Sequence, residues 1–123
     1  MIAVGTDIVA IERIAQGVER GGSVFLDRTF TAAEQAAANS HALPPSFYAK
    51  CFAAKEAVFK TLNTGWESGI EMHEIEILER ESGQPYVVLH GHAKRLAEAA
   101  GAKDVLISVS YDGDYAVAFA VLT

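Results

Sequence analysis

The chain has 123 residues, half of them hydrophobic, with a formal net charge of −6 and a pI near 5.1. That length supports one domain with a real core and leaves too little chain for two, and the acidic balance disfavours nucleic acid as a partner. The single cysteine, Cys51, rules out an internal disulfide, and the first apolar run soon meets Asp7, short of the roughly 20 residues of a membrane span; a soluble, cytoplasmic domain without a membrane partner is expected.

Residues 1–6 read as a strand with Ile2 and Val4 on one face. Ile8, Ile11, Ile14 and Val18 then recur at helical spacing, which puts Asp7 where a strand gives way to a helix, either as a plain N-cap or as an acid placed to meet a metal or a substrate. Gly21-Gly22 breaks that helix, and residues 23–30 resume as a short one with Phe25 and Phe30 as core candidates. Thr31 and Glu34 have capping-box spacing and start a third helix through the alanine-rich run ending near Asn39. Residues 40–45 read as a loop in which His41 is solvated.

Residues 46–62 form the stretch around which the chain is organised. With Ser46 as N-cap after Pro44-Pro45, the spacing predicts a helix of about four to five turns, apolar on almost every side and therefore buried. Ala49, Phe52, Glu56 and Phe59 share one stripe, and Tyr48, Cys51, Lys55, Val58 and Leu62 a neighbouring one. Lys55 and Glu56 are thus charges inside a buried pattern, and such charges need a partner or an ion. Glu56 and Lys60 stand one turn apart, which suits either a rim salt bridge or a carboxylate and an ammonium aimed at one metal and phosphate pocket. Cys51 reads as a small core residue.

After this helix, residues 63–65 carry stop chemistry whose backbone amides could meet an anion. Residues 74–79 and 86–89 read as a hairpin around Ser82-Gly83, and residues 92–100 as an amphipathic helix with Leu96 and the alanines inward. His90 and His92 lack further ligands in register, which argues against a metal pair. Residues 105–111 and 115–122 flank Asp112-Gly113 as the strongest hairpin signal in the chain. The run 116–121 is apolar on both faces, so it needs cover from its own helices and from another subunit. Together these elements give one α+β domain over residues 1–123, helices packed on a mainly antiparallel sheet.

The motifs GTDIVAIERI at 5–14, FTAAE at 30–34, FAAKEAVFKTLNTG at 52–65, GQPYVVLHG at 83–91 and SVSYDGDYAVA at 108–118 resemble, in order and spacing, those of bacterial holo-acyl-carrier-protein synthases. These are the small 4'-phosphopantetheinyl transferases. The resemblance implies Mg2+-dependent transfer of the 4'-phosphopantetheine arm of coenzyme A to a serine of an apo acyl carrier protein, releasing 3',5'-ADP. It implies Asp7 and Glu56 as metal-binding acids, Lys60 as the phosphate-binding lysine, and these three as the catalytic set. It further implies coenzyme A contacts from Lys60, Thr64, Gly65, Gly83, Pro85 and Tyr111. Arg13 and Arg28 match positions that meet the acidic carrier, with Arg20 between them and Phe25 as an apolar anchor. A homotrimer with active sites at subunit interfaces is also implied.

The chain departs from the family pattern at Tyr111, where histidine is usual, and at Cys51, where arginine is usual. Losing an imidazole and a guanidinium beside the nucleotide weakens coenzyme A binding or alters the pH dependence. An alternative is therefore a catalytically weakened relative that binds coenzyme A or a carrier protein. A Mg2+-dependent pyrophosphate hydrolase is disfavoured, because no specific water-activating group can be named.

Overall fold

In the computed structural model, which describes residues 2–62 and 68–123, strand β1 (Ala3–Ala10) runs straight into helix α1 (Ile11–Thr29). Helices α2 (Ala32–Asn39) and α3 (Pro44–Thr61) follow, then strands β2 (Ile75–Glu79) and β3 (Pro85–Leu89), helix α4 (Gly91–Ala99), and strands β4 (Val105–Asp112) and β5 (Tyr115–Leu122). Strands β1, β5 and β4 form one antiparallel sheet in that order, and β2 and β3 form a second. Helix α3 lies across the larger sheet and also packs against β2, α1 and α2. This is the α+β arrangement expected. No helix among the described residues is long and apolar enough to cross a membrane.

Small side chains let α3 approach the sheet closely. Ala116, Ala118 and Ala120 of β5 meet Ala49, Ala53, Ala54 and Ala57 of α3, all fully buried. At Gly5 the approach becomes too tight for any side chain, since a Cβ there would stand 2.1 Å from the Ala57 carbonyl oxygen. Around this seam Phe30, Val58, Ile75 and Leu122 fill the core, each worth about 1.5–3 kcal/mol of burial.

The charge problem at Lys55 is solved from α2. Glu34 closes the capping box with Thr31, its Oε1 accepting from the Thr31 amide at 2.7 Å, while its Oε2 accepts from the Ile77 amide at 2.7 Å. Lys55 Nζ stands 2.8 Å from Glu34 Oε1 and donates to the Ile75 carbonyl at 2.5 Å and the Met72 carbonyl at 3.2 Å. All three ammonium donors are used, so a fully buried ion pair joins α2, α3 and β2. Burial pushes Lys55 below the usual lysine value, and Glu34 opposes that shift.

Local expectations differ in three places. Asp7 is not at a strand end: β1 continues through Ile8 and Val9 to Ala10, because Asp7 pairs with Ala118 and β5 carries the register on to Tyr115. The N-cap of α1 is Ala10. Helix α3 starts at Pro44 rather than after it, with Ser46 buried inside its first turn, because the missing amide of proline costs nothing there. His41 is not free in solvent; its Nδ1 accepts from the Leu43 amide at 3.0 Å and its ring lies 5.4 Å from that of Phe47. The Ile2 and Val4 face of β1 is open: Val4, Ile8, Leu106 and Phe119 are each more than half exposed on the side of the sheet away from α3.

Candidate functional site

Strand β1 and helices α1 and α3 together build one cleft. Asp7 and Glu56 both line it, with Arg13, Gly17, Phe25 and Phe52, around a volume of about 440 Å³. Lys60, one turn beyond Glu56, donates from Nζ to the Thr6 carbonyl at 2.8 Å and to Asp7 Oδ1 at 3.4 Å. The rim salt bridge expected between Glu56 and Lys60 is therefore replaced by a Lys60–Asp7 pair. Partial burial raises Glu56 above the ordinary carboxylate range, Asp7 raises it further, and Lys60 and Arg13 pull it back.

Two carboxylates in one cleft, with no ion pair to Glu56 among the described residues, form a donor set that a cation would relieve. Among the described residues no group of three or more His, Cys, Asp or Glu side chains could hold a metal. Two carboxylates are the number of protein ligands that Mg2+ takes when its sphere is filled by waters and substrate phosphates.

The break in α1 falls at Gly22, whose φ of 53° and ψ of −140° belong to glycine alone. It turns the second half of the helix so that the Phe25 ring covers Gly17, where a Cβ would lie 3.3 Å from Phe25 Cζ. Phe25 is thereby brought to the same cleft as the two acids. Arg13, Arg20 and Arg28 are exposed and make no ion pair among the described residues.

A second, smaller cavity of about 100 Å³ lies on the other side of α3, lined by Phe47, Lys50, Cys51, Gly83, Pro85 and Val109 among others. Tyr111, half exposed on edge strand β4, stands beside it with Lys50 Nζ 5.2 Å over its ring. Cys51 is 4 % exposed, and burial, with Glu34 adding to it, pushes its thiol up to about 12. It is a neutral group at any physiological pH. His90 bonds Glu76 at 3.0 Å, and among the described residues neither His90 nor His92 joins a metal cluster.

The structure thus brings Asp7, Glu56, Lys60, Arg13 and Phe25 together, and groups Gly83 and Pro85 with Cys51 near Tyr111. It does not bring the two groups to one cavity: Asp7 is on β1, Tyr111 on β4, and β5 runs between them. Thr64 and Gly65 lie outside the described residues. Gly5, Lys50 and Phe52 escaped the sequence reading as site residues, and Glu34 was legible only as a cap. The G-x-D spacing was the available signal for Gly5, since a glycine two residues before a strand acid lies on the same face.

A profile of the 4'-phosphopantetheinyl transferase superfamily matches residues 3–120. The holo-[acyl-carrier-protein] synthase of Desulforudis audaxviator is 44 % identical over 121 residues, covering 98 % of this chain and 92 % of the relative. The crystal structure of the holo-[acyl-carrier-protein] synthase of Neisseria meningitidis superposes with a TM-score of 0.90 at 31 % identity, covering 100 % of this chain and 99 % of that one. The Helicobacter pylori holo-[acyl-carrier-protein] synthase in complex with coenzyme A superposes with a TM-score of 0.83 at 29 % identity, covering 98 % and 99 %.

Proposed function

Since the chain belongs to the holo-[acyl-carrier-protein] synthases of the 4'-phosphopantetheinyl transferase superfamily, we propose that it moves the 4'-phosphopantetheine arm of coenzyme A onto a serine of an apo acyl carrier protein. The serine oxygen forms a bond to the phosphorus that carries the arm. The bond from that phosphorus to the bridging oxygen of the pyrophosphate breaks, and 3',5'-ADP leaves with the electron pair. The observation that carries this reading is the shared cleft of Asp7 and Glu56 with Lys60 bonded beside them.

Asp7 and Glu56 are the residues that would hold Mg2+, and the ion would supply charge neutralisation at the pyrophosphate. Lys60, half exposed at the mouth of the cleft, offers its ammonium to a phosphate oxygen, a contact of the kind worth about 10²–10³ in rate when it strengthens in the transition state. The serine proton needs an acceptor. Glu56, which lines the cleft, is the group placed to take it, directly or through a water it holds.

Coenzyme A contacts from Gly83, Pro85 and Tyr111 follow from the resemblance and are supported by the cavity beside α3; those from Thr64 and Gly65 rest on the resemblance alone. The separation of this cavity from the acids supports a site completed by a second copy. The open apolar face of Val4, Ile8, Leu106 and Phe119 supports a homotrimer, because a monomer gains nothing by leaving such a face in water. Arg13, Arg20 and Arg28, all exposed, with Phe25 at the cleft, form the docking face for an acidic carrier. A cytoplasmic, single-domain enzyme suits the free, buried thiol of Cys51.

The test is transfer of the arm to an apo carrier by Asp7→Ala and Glu56→Ala, with and without EDTA. Both variants should keep the wild-type circular dichroism and lose transfer, as should the wild type in EDTA. Undiminished turnover in either variant removes that residue from the metal site. A wild type that binds coenzyme A yet transfers nothing to several carriers favours the weakened binding module, motivated by the neutral Cys51.

A further inference from the structure

We propose that Lys50, seated over the Tyr111 ring, is the cation that receives a phosphate at the nucleotide end of coenzyme A in this chain. The inference rests on the transferase reading above and adds to it a binding residue. The family resemblance places an arginine at position 51 and a histidine at position 111; here one is a buried thiol and the other a phenol. If nothing replaced them, this side of the site would have lost its positive charge.

The geometry supplies the replacement one residue earlier on the same helix. Lys50 lines the cavity that Cys51, Gly83 and Pro85 also line, the space the nucleotide end is read to occupy. The Tyr111 ring lies 5.2 Å below Nζ, and an aromatic face orients an ammonium without neutralising it. Lys55 is buried against Glu34, and Lys60 stands with Asp7 at the other cavity, whereas Lys50 makes no ion pair among the described residues. A phosphate arriving there breaks no existing pair. Glu79 lines the same cavity and is the opposing charge, exposed at its rim. Tyr111 thus keeps a role without an imidazole: it positions Lys50, and the family's two substitutions compensate one another.

Isothermal titration of the full chain with coenzyme A, with 3',5'-ADP and with pantetheine tests this. Lys50→Ala should weaken coenzyme A and 3',5'-ADP by about tenfold, the lower end of a charge-assisted hydrogen bond, and leave carrier KM within about twofold. Pantetheine, which has no phosphate, should bind both proteins alike. Lys50→Arg should retain most of the affinity, and Tyr111→Ala, which removes the ring beneath the ammonium, should lose part. Added salt should weaken the wild type more than Lys50→Ala. If the wild type binds coenzyme A and Lys50→Ala binds it equally, Lys50 is a solvated bystander and only this inference fails. If the wild type binds neither coenzyme A nor 3',5'-ADP, the transferase reading fails with it.

Discussion

Replacing Gly5 by alanine tests whether the tight seam between β1 and α3 sets the catalytic geometry. The new Cβ would stand 2.1 Å from the Ala57 carbonyl oxygen, 3.1 Å from its carbon and 3.2 Å from Lys60 Cβ. The nearest atoms are backbone, so no side chain can swing aside, and α3 must retreat from β1 by roughly 1 Å to reach ordinary contact. Overpacking of that kind costs about 1–3 kcal/mol. The loss of glycine freedom in the unfolded chain returns about 0.4–1 kcal/mol. A net loss of about 1–2 kcal/mol lowers Tm by about 4–10 °C in a chain of this size. The effect on rate is larger, because Asp7 rides on β1 and Glu56 and Lys60 ride on α3. A displacement of about 1 Å between catalytic groups costs up to about 10²-fold. Thermal unfolding by circular dichroism and kcat for carrier modification read the two effects separately. A variant with wild-type Tm and a rate within about twofold would refute the reasoning, since the seam would then be neither tight nor in control of the site.

Three further outcomes follow from the geometry. Lys55→Met strands the buried Glu34 carboxylate and should cost about 3–5 kcal/mol in urea unfolding, while adding Glu34→Leu should recover a large part, because removing both charges leaves no unpaired ion. Glu56 has a folded pKa raised above its unfolded value, so the wild type loses stability as pH rises through that folded pKa. Glu56→Gln should therefore have the higher Tm at pH 7, the gap closing as pH falls through that folded pKa towards the unfolded value of about 4.3, and Mg2+ should raise the wild-type Tm but not the variant's. Arg13→Glu and Arg28→Glu should raise carrier KM at least tenfold and leave coenzyme A affinity unchanged, with wild-type transfer falling as salt rises; an unchanged carrier KM in both moves the docking face elsewhere.

The elements were legible where local chemistry is strong. Thr31 with Glu34, Gly21-Gly22, the run of helix α3 and the hairpin at Gly113 all read correctly, because capping, backbone freedom and apolar period act within a few residues. Long-range effects were hidden. Asp7 was read at a strand end because its own sequence favours a cap, but pairing with β5 held the strand for three more residues. The partner of Lys55 could not be named, since Glu34 looked fully used as a cap and its second task, 21 positions before the lysine, depends on how α2 and α3 pack. Asp7, Glu56 and Lys60 were singled out from the motifs, whereas the choice of Lys60 for Asp7 over Glu56 depends on where β1 lies beside α3.

Mass spectrometry of an intact apo acyl carrier protein, after incubation with this protein, coenzyme A and Mg2+, addresses the central claim most directly. The carrier is expected to gain the mass of one phosphopantetheine arm on its serine while one equivalent of 3',5'-ADP is released, and Glu56→Ala to give neither. An unmodified carrier alongside cleaved coenzyme A would contradict it in favour of a hydrolase, and an unmodified carrier alongside intact coenzyme A would contradict it in favour of a binding module.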